Sequence, residues 1–374
     1  MEPYIHELQE WPTFRWSEGA LSGALLEVRQ QQSRLSGQLE SLGFHTRDAV
    51  SLRTHTEDVV ESSEIEGELL NTDAVRSSVA RRLGMDIGGI EPADRYVDGV
   101  VEVALDAAQH HDQPLTRDRL FSWHAALFPT GRSGMHRIIV GAWREDRTSR
   151  MQVVSGPVGR ERVHFEAPEA ARLDTEMQLF LEWFNGHEPI DALVRAALAH
   201  LWFVTIHPFD DGNGRIARAI ADMCLSCAEG RSQRFYSMSA QIRQERADYY
   251  RMLEQTQSAS MNITPWMTWF LGCLLRSIER SRLQLAGVIA KAHFWERVRH
   301  VPLNERQRLM INRLLDGFEG KLTTSKWATL TKTSQDSALR DVQQLVERGV
   351  LVKDAAGGRS TSYSLAAFLL APLL

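Results

Sequence analysis

The chain is poor in the features that would mark it as secreted, membrane-bound or fibrous. Its 374 residues hold three cysteines, Cys224, Cys227 and Cys273, too few for a disulfide framework. No charge-free apolar run approaches the ~18 residues that span a bilayer. The opening stretch MEPYIHELQEWPTFRW has no apolar signal core. There are no internal repeats and no low-complexity tract. Neither sign of charge dominates: 43 Lys+Arg against 48 Asp+Glu give a net charge of −5, which argues against a surface that coats nucleic acid throughout and leaves room for a local basic patch. The P-loop signature GxxxxGK(S/T) is missing, which argues against a P-loop NTPase. What remains is an ordinary globular composition, 43% hydrophobic and 24% charged, which argues against disorder. The expectation is a soluble, cytoplasmic protein with no membrane partner.

What is present is helical periodicity. Apolar residues recur at three and four rather than at two, so the fold class expected is mostly α. The length suggests two or three domains at about 150 residues each. A helical N-terminal segment, 1–89, includes SGALLEVRQQQSRLSGQLESLG and one further helical stretch from Thr46 through SSVARRLG. The glycine-rich MDIGGIEP ends it. The middle segment, 90–285, contains helices in DRYVDGVVEVALDAAQHH and MQLFLEWFN and a β-hairpin in MQVVSGPVGRERVHF, around a Gly/Pro turn. Its IDALVRAALAHLWFVTI is apolar on nearly every face, which suggests a buried helix. A further helix, IARAIADMCLSCAEG, stops at Gly230. In the last segment, 300–374, three helices and a hairpin tipped by Gly-Gly have the order of a winged helix-turn-helix.

The most informative stretch joins the two apolar helices: His207-Pro-Phe-Asp-Asp-Gly-Asn-Gly-Arg-Ile-Ala-Arg218. Asp-Gly-Asn-Gly reads as a loop, with Gly212 and Gly214 allowing tight turns. The next helix is expected from about Arg215, so its first N–H groups make a ready anion site. Arg215 and Arg218 share one face of that first turn and add positive charge for more than one phosphate. Asp211 supplies a hard oxygen suited to Mg²⁺. His207, ending the buried helix, is suited to take a proton from a hydroxyl near neutral pH.

The same twelve residues resemble the Fic motif, HPFx(D/E)GNGRxxR, at every defined position. The resemblance implies a Fic-type helical core and the transfer of AMP from ATP to a Ser, Thr or Tyr hydroxyl of a target protein or of the chain itself. It makes His207 the base and Asp211 the Mg²⁺ ligand. Gly212, Asn213 and Gly214 would form the anion nest under the α- and β-phosphates, which Arg215 would contact, and Arg218 would hold the γ-phosphate. Gly214 favours AMP transfer over phosphate transfer, because the phosphate-transferring variants have Lys there. The YIHELQEWPTFRW stretch resembles a helical domain found ahead of Fic domains. The hairpin at Met151 to Phe165 sits where the family has its flap, an edge on which a target strand docks; as a sequence it is also an ordinary surface hairpin. Ser62-Ser-Glu-Ile-Glu66-Gly67 resembles the family's inhibitory motif (S/T)xxxE(G/N), with Glu66 pairing with Arg218. The alternative is a solvated acidic helix face, since Glu61, Glu64 and Glu68 are close by. Homodimers are common in the family.

Weaker signals stay open. Tyr249 and Tyr250, with Gln244, are candidates for stacking on or lining an adenine site, or for packing. Cys224 and Cys227 have CxxC spacing, but buried packing is favoured because a metal would need further ligands. From Asn304 to Leu374 ten Lys/Arg stand against seven Asp/Glu, a net of +3. Arg340, Lys353 and Arg359 would face the phosphates if that segment binds DNA; the same segment also suits protein docking or dimerisation. Two other functions compete with AMP transfer: a DNA-binding regulator that senses nucleotide without turnover, and removal of AMP with Glu66 positioning water.

Overall fold

The computed structural model describes residues 3–40, 44–86, 92–146, 150–156, 160–231, 233–258, 260–318, 320–354 and 361–367. The chain is mostly helical and divides into two compact units, Met1–Ser281 and Arg282–Leu374. In the first unit come α1 (Glu18–Glu40), α2 (Phe44–Ile65), α3 (Thr72–Arg82), α4 (Arg95–Gln109) and α5 (Arg117–Leu127). Two small antiparallel ladders follow: β1 (Arg132–Ser133) with β2 (His136–Arg137), and β3 (Gln152–Ser155) with β4 (Arg162–Glu166). Then come α6 (Leu173–Asn185), α7 (Ala192–Ile206), α8 (Asn213–Glu229), α9 (Met238–Gln244), α10 (Arg246–Gln257) and α11 (Thr264–Arg297), within which the division between the units falls. The second unit continues with α12 (Glu305–Leu315), α13 (Thr324–Leu330), α14 (Gln335–Glu347), β5 (Leu351–Lys353) and β6 (Tyr363–Leu365).

The core of the first unit is built around α7, whose residues from Leu193 to Ile206 are almost all buried. An all-round apolar helix needs neighbours on every side, and α8 packs along it while α6 covers another face. Gly99 in α4 is a packing glycine: a Cβ there would lie 1.9 Å from the Ala126 carbonyl oxygen of α5. The N-terminal helices share this unit, α2 lying against α9, α3, α4 and α8. Trp266, Met267 and Phe270 of the tryptophan-rich TPWMTWFLG stretch are buried in the core.

The stretch expected as one helix from Thr46 onward is two. Gly67, at φ 87°, is the left-handed residue that ends α2. The Gly67 N–H donates to Glu64 O (3.0 Å) and the Glu68 N–H to Ser63 O (3.0 Å), the paired bonds of a Schellman turn with Glu66 as the C-cap. Asn71 then restarts the helix, its side chain accepting from the N–H groups of Asp73 and Ala74. At the predicted stop of α8, Gly230 is left-handed at φ 60° and closes the helix. The boundary expected near Gly89 and the Gly-Gly hairpin tip at 357–358 lie outside the described residues, as does Arg359.

The second unit closes its own core over Trp327, Phe294, Met310, Val342 and Leu345. Its first helix after α11 opens with a capping box between Asn304 and Gln307.

Candidate functional site

The loop between α7 and α8 is held from several sides. His207 caps α7 in the left-handed region (φ 53°, ψ 56°), a conformation that costs a residue with a Cβ about 1–2 kcal/mol. Arg144, 3% exposed, stabilises it. Its Nε donates to His207 O (2.8 Å), its backbone N–H to Pro208 O (2.9 Å), and its remaining nitrogens to Asp146 (2.9 Å) and Pro168 O (2.5 Å). Phe209 stacks on His124, with ring centroids 4.1 Å apart. The His124 Nε2–H donates to Asp211 O (3.2 Å), and Nδ1 accepts from the Gly141 N–H (3.2 Å). Those two bonds define a neutral tautomer, and burial pushes the His124 pKa down to about 4. Asp210 accepts from the Ile139 N–H (2.8 Å). Asn213 clamps the loop from within: its side chain accepts from the Phe209 N–H (3.0 Å) and donates to Phe209 O (2.8 Å).

α8 starts at Asn213, two residues earlier than the spacing suggested, because Gly212 (φ 80°) takes the cap in the left-handed region. A Cβ on Gly212 would also lie 2.8 Å from the Phe128 ring. The first-turn N–H groups of α8 therefore open beside Gly212, Asn213 and Gly214, a helix start that favours an anion. Asp211 stands at its edge, accepting from the Gly212 N–H (2.5 Å) and from the Ser133 hydroxyl. A lone carboxylate beside a phosphate nest fits Mg²⁺, which keeps most of its waters and takes its other ligands from phosphate. Among the described residues no group of three or more His, Cys, Asp or Glu side chains is placed to hold a metal by itself.

His207 lies next to this nest, half-buried. Its Nδ1–H donates to Val204 O (3.2 Å), which leaves Nε2 as the acceptor. Burial lowers its pKa to about 4, with Arg144 acting in the same direction, while the Val204 carbonyl, Asp211 and Glu66 oppose the shift. The imidazole is neutral at pH 7 and able to take a proton.

Both arginines of the loop are engaged by the turn that ends α2. Arg218, 3% exposed, donates to the Ser62 hydroxyl (2.9 Å), to Ser62 O (2.8 Å) and to Glu66 Oε1 (2.8 Å). Its third nitrogen, Nη1, is buried with no hydrogen-bond partner, so this cation has a donor left over. Arg215, 4% exposed, donates to Glu68 Oε2 (3.2 Å) and to the Tyr96 hydroxyl (2.7 Å). Its guanidinium also lies 5.0 Å from the centre of the Phe128 ring. Burial drives the pKa of Arg218 down, and Glu66 with the two neighbouring tyrosines outweighs it, for a net rise. A Cβ on Gly214 would lie 2.2 Å from Glu66 Oε1, so the bare backbone of Gly214 gives the carboxylate its place. Gly67 is needed for the turn that aims Glu66.

Two of the three acidic residues near Glu66 are paired: Glu68 with Arg215, and Glu64 with Arg243 (3.2 Å). The tyrosine pair divides. Tyr249 is 1% exposed, with its hydroxyl 2.9 Å from His200 Nε2, and belongs to the core. Tyr250 is 37% exposed and its hydroxyl reaches Ile65 O (3.2 Å) and Glu66 Oε2 (3.3 Å). Gln244 is exposed at the end of α9. Cys224 is buried, with its pKa pushed up to about 12 by burial, and Cys227 is exposed. Sequence reasoning assigned no role to Asp210, His124, Tyr96, Glu68 or Arg144. Asp210 stood next to an obvious ligand candidate; the others act through contacts more than 80 residues away in the chain or, for Arg144, through backbone carbonyls, and no local spacing signals that.

Comparison with known proteins matches family models to two stretches of the chain. Residues 114–225 match the Fic/DOC family model, so the chain carries a Fic/DOC family domain, and residues 4–85 match a model described as Domain of unknown function (DUF4172). The chain is 32% identical over 114 residues to Protein adenylyltransferase Fic of Nematostella vectensis, covering 30% of this chain and 25% of that one. It is 31% identical over 93 residues to Protein adenylyltransferase fic-1 of Caenorhabditis elegans, covering 24% and 18%. The chain thus spans about a quarter or less of the length of these relatives. Its fold resembles that of a Fic family protein from Desulfovibrio desulfuricans, with a TM-score of 0.53 at 20% identity over 93% of this chain and 96% of that one. A Fic domain containing signaling protein from Bacteroides thetaiotaomicron gives 0.51 at 20% identity, over 70% and 97%. Among the described residues no helix is long and apolar enough to cross a membrane.

Proposed function

We propose that this protein transfers AMP from ATP to a hydroxyl side chain of a protein, and that the turn ending α2 restrains the reaction. The observation that carries the proposal is the pairing of Arg215 and Arg218 with two carboxylates directly beside an anion-binding helix start and a neutral histidine. The oxygens of Glu66 and Glu68 stand where the oxygens of a polyphosphate would be received. With the turn withdrawn, Arg218 holds the γ-phosphate, and Arg215 and the backbone of Gly212, Asn213 and Gly214 hold the α- and β-phosphates. His207 Nε2 takes the proton of the incoming hydroxyl as its oxygen bonds to the α-phosphorus and pyrophosphate leaves. Mg²⁺, which Asp211 would hold, supplies charge neutralisation to the phosphates when bound. Tyr250, beside Glu66, is the aromatic placed to border the base.

The target strand is read as docking on the β3–β4 hairpin. The second unit is read as a winged helix. Arg340 and Lys353 are exposed on it, but the outer face of α14 also carries Leu339 and Val346, 40% and 36% exposed, a mixture that favours a protein partner over a phosphate backbone.

The test is incubation with labelled ATP and Mg²⁺. Label bound covalently to protein, and lost in His207→Ala, supports transfer. A protein that binds ATP but remains unlabelled after Glu66→Gly would refute it.

A further inference from the structure

The carboxylate of Asp211 is held through both oxygens. Oδ1 accepts from the Gly212 N–H (2.5 Å) and Oδ2 from the Ser133 hydroxyl. Nucleotide would treat these two donors differently. The Gly212 N–H belongs to the proposed phosphate nest, so a bound phosphate draws it away from Asp211. The Ser133 hydroxyl comes from the β1–β2 hairpin, outside the nest, and stays.

The hairpin does not need that hydroxyl for its own shape. Arg132 pairs with Arg137 and Ser133 with His136 across the ladder. The Gly131 N–H donates to Phe128 O (3.0 Å) and the Ile138 N–H to Gly131 O (3.2 Å), and the chain turns at Gly134 (φ 52°). Arg132 and the residues from Gly134 to Arg137 are exposed, whereas Ser133 is half-buried. A serine that only shaped a turn would bond its own neighbouring backbone; this one bonds a carboxylate 78 residues away. The backbone of the loop is fixed separately, by His124 Nε2–H donating to Asp211 O (3.2 Å) and by Asp210 accepting from the Ile139 N–H (2.8 Å). Neither of those bonds sets the torsions of the Asp211 side chain. A carboxylate that ligates a metal is oriented by its own hydrogen-bond donor, and loss of such a donor costs about ten- to a hundredfold in metal affinity.

We propose that Ser133 is a positioning residue that holds the Asp211 carboxylate in place for a divalent cation once nucleotide has drawn the Gly212 N–H away. The inference rests on the transfer reading above, which puts Mg²⁺ at Asp211 and phosphate on the nest. Ser133 acts through Asp211 and not on the reacting atoms.

Two measurements test it, both with Glu66→Gly protein as the parent, in which the restraint is removed. The first is direct binding of Mn²⁺, followed by electron paramagnetic resonance in the presence of α,β-methylene-ATP, which cannot release pyrophosphate. Ser133→Ala should raise the Kd for Mn²⁺ about tenfold, and Ser133→Thr, which keeps the hydroxyl, should restore it. The second is the Mg²⁺ dependence of AMP incorporation. Ser133→Ala should need about tenfold more Mg²⁺ for its half-maximal rate, while the rate at saturating Mg²⁺ returns close to that of the parent. A serine with only a structural role would lower the maximal rate and leave the Mg²⁺ requirement unchanged, and that result overturns the proposal. So does Mn²⁺ bound equally well by Ser133→Ala and the parent, or a loss in Ser133→Thr as large as in Ser133→Ala. If Asp211→Asn bound Mn²⁺ as tightly as the parent, the cation would lie elsewhere and the proposal would fall with that assignment. If Mn²⁺ binding followed Ser133 as stated but no AMP were incorporated, the transfer reading would fail and the positioning of Asp211 would stand.

Discussion

The loop at 207–215 and the turn at 62–68 meet at two arginines but are stabilised in different ways. The loop is braced by residues that stay with it: Asn213 holds Phe209, Arg144 holds His207 and Pro208, and Asp210 holds Ile139. The turn is braced by its own Schellman bonds and by the arginines it blocks. Removing the turn takes partners from Arg215 and Arg218 and leaves the loop's bracing intact. A catalytic loop that does not depend on its restraint can be released without being rebuilt, and this separation is open to experiment.

The largest effects should come from the loop. His207→Ala is expected to abolish transfer while calorimetric titration still shows ATP binding, because the imidazole acts on the hydroxyl and not on the nucleotide. Transfer at the unaltered rate would remove His207 from the mechanism. Asn213→Ala should cost about a hundredfold in rate through misplacement of the loop, even when Glu66 is also replaced; rates in the double variant measure this. If Glu66→Gly restored full activity to it, the loop and turn would not be separable as described.

Arg218→Ala should also remain inactive when combined with Glu66→Gly, since in the proposed function the side chain both receives the restraint and holds the γ-phosphate. A double variant as active as Glu66→Gly alone would remove the phosphate role.

The pH dependence follows from His207. Its pKa is lowered to about 4, so the base is neutral above that value and is lost by protonation only as pH falls through it. The transfer rate of Glu66→Gly protein should be nearly level from pH 8 to 6 and fall toward pH 4. A limb centred at 6.5 or above would show that burial does not hold this histidine neutral.

Smaller effects come from the turn. Glu68→Gln should lower KM for ATP by about threefold, the size of a partly exposed ion pair, and should do so in the Glu66→Gly background as well. An unchanged KM would mean that Glu68 does not compete for Arg215. Gly67→Ala forces a side chain into a left-handed position at a cost of about 1 kcal/mol, and should loosen the restraint several-fold with a small drop in Tm.

The sequence carried the loop clearly, because its residues are local: twelve consecutive positions hold His207, the glycine-bounded helix start and both arginines. The buried α7 and the stop at Gly230 were legible for the same reason, one from continuous apolarity and the other from a glycine with free φ. What the sequence hid depends on distant contacts. Nothing near Glu68 marks it as a partner of Arg215, 147 residues away. Tyr249 and Tyr250 are neighbours in sequence, yet α10 turns one into the core beside His200 and leaves the other beside Glu66. The break between α2 and α3 was missed because helical apolar spacing continues across it, while Gly67 and Asn71 supply a stop and a restart only four residues apart.

The central claim is that Glu66 keeps a preformed site from using ATP. Initial rates of AMP incorporation at saturating ATP and Mg²⁺ test it most directly, for unaltered protein, Glu66→Gly and Glu66→Ala. A charge-assisted hydrogen bond of this kind is worth about 2 kcal/mol, so both variants should incorporate AMP at least about tenfold faster, with Glu66→Ala excluding an effect of glycine on the helix end. Equal rates in all three proteins would contradict the account and reduce the Glu66–Arg218 pair to a structural contact.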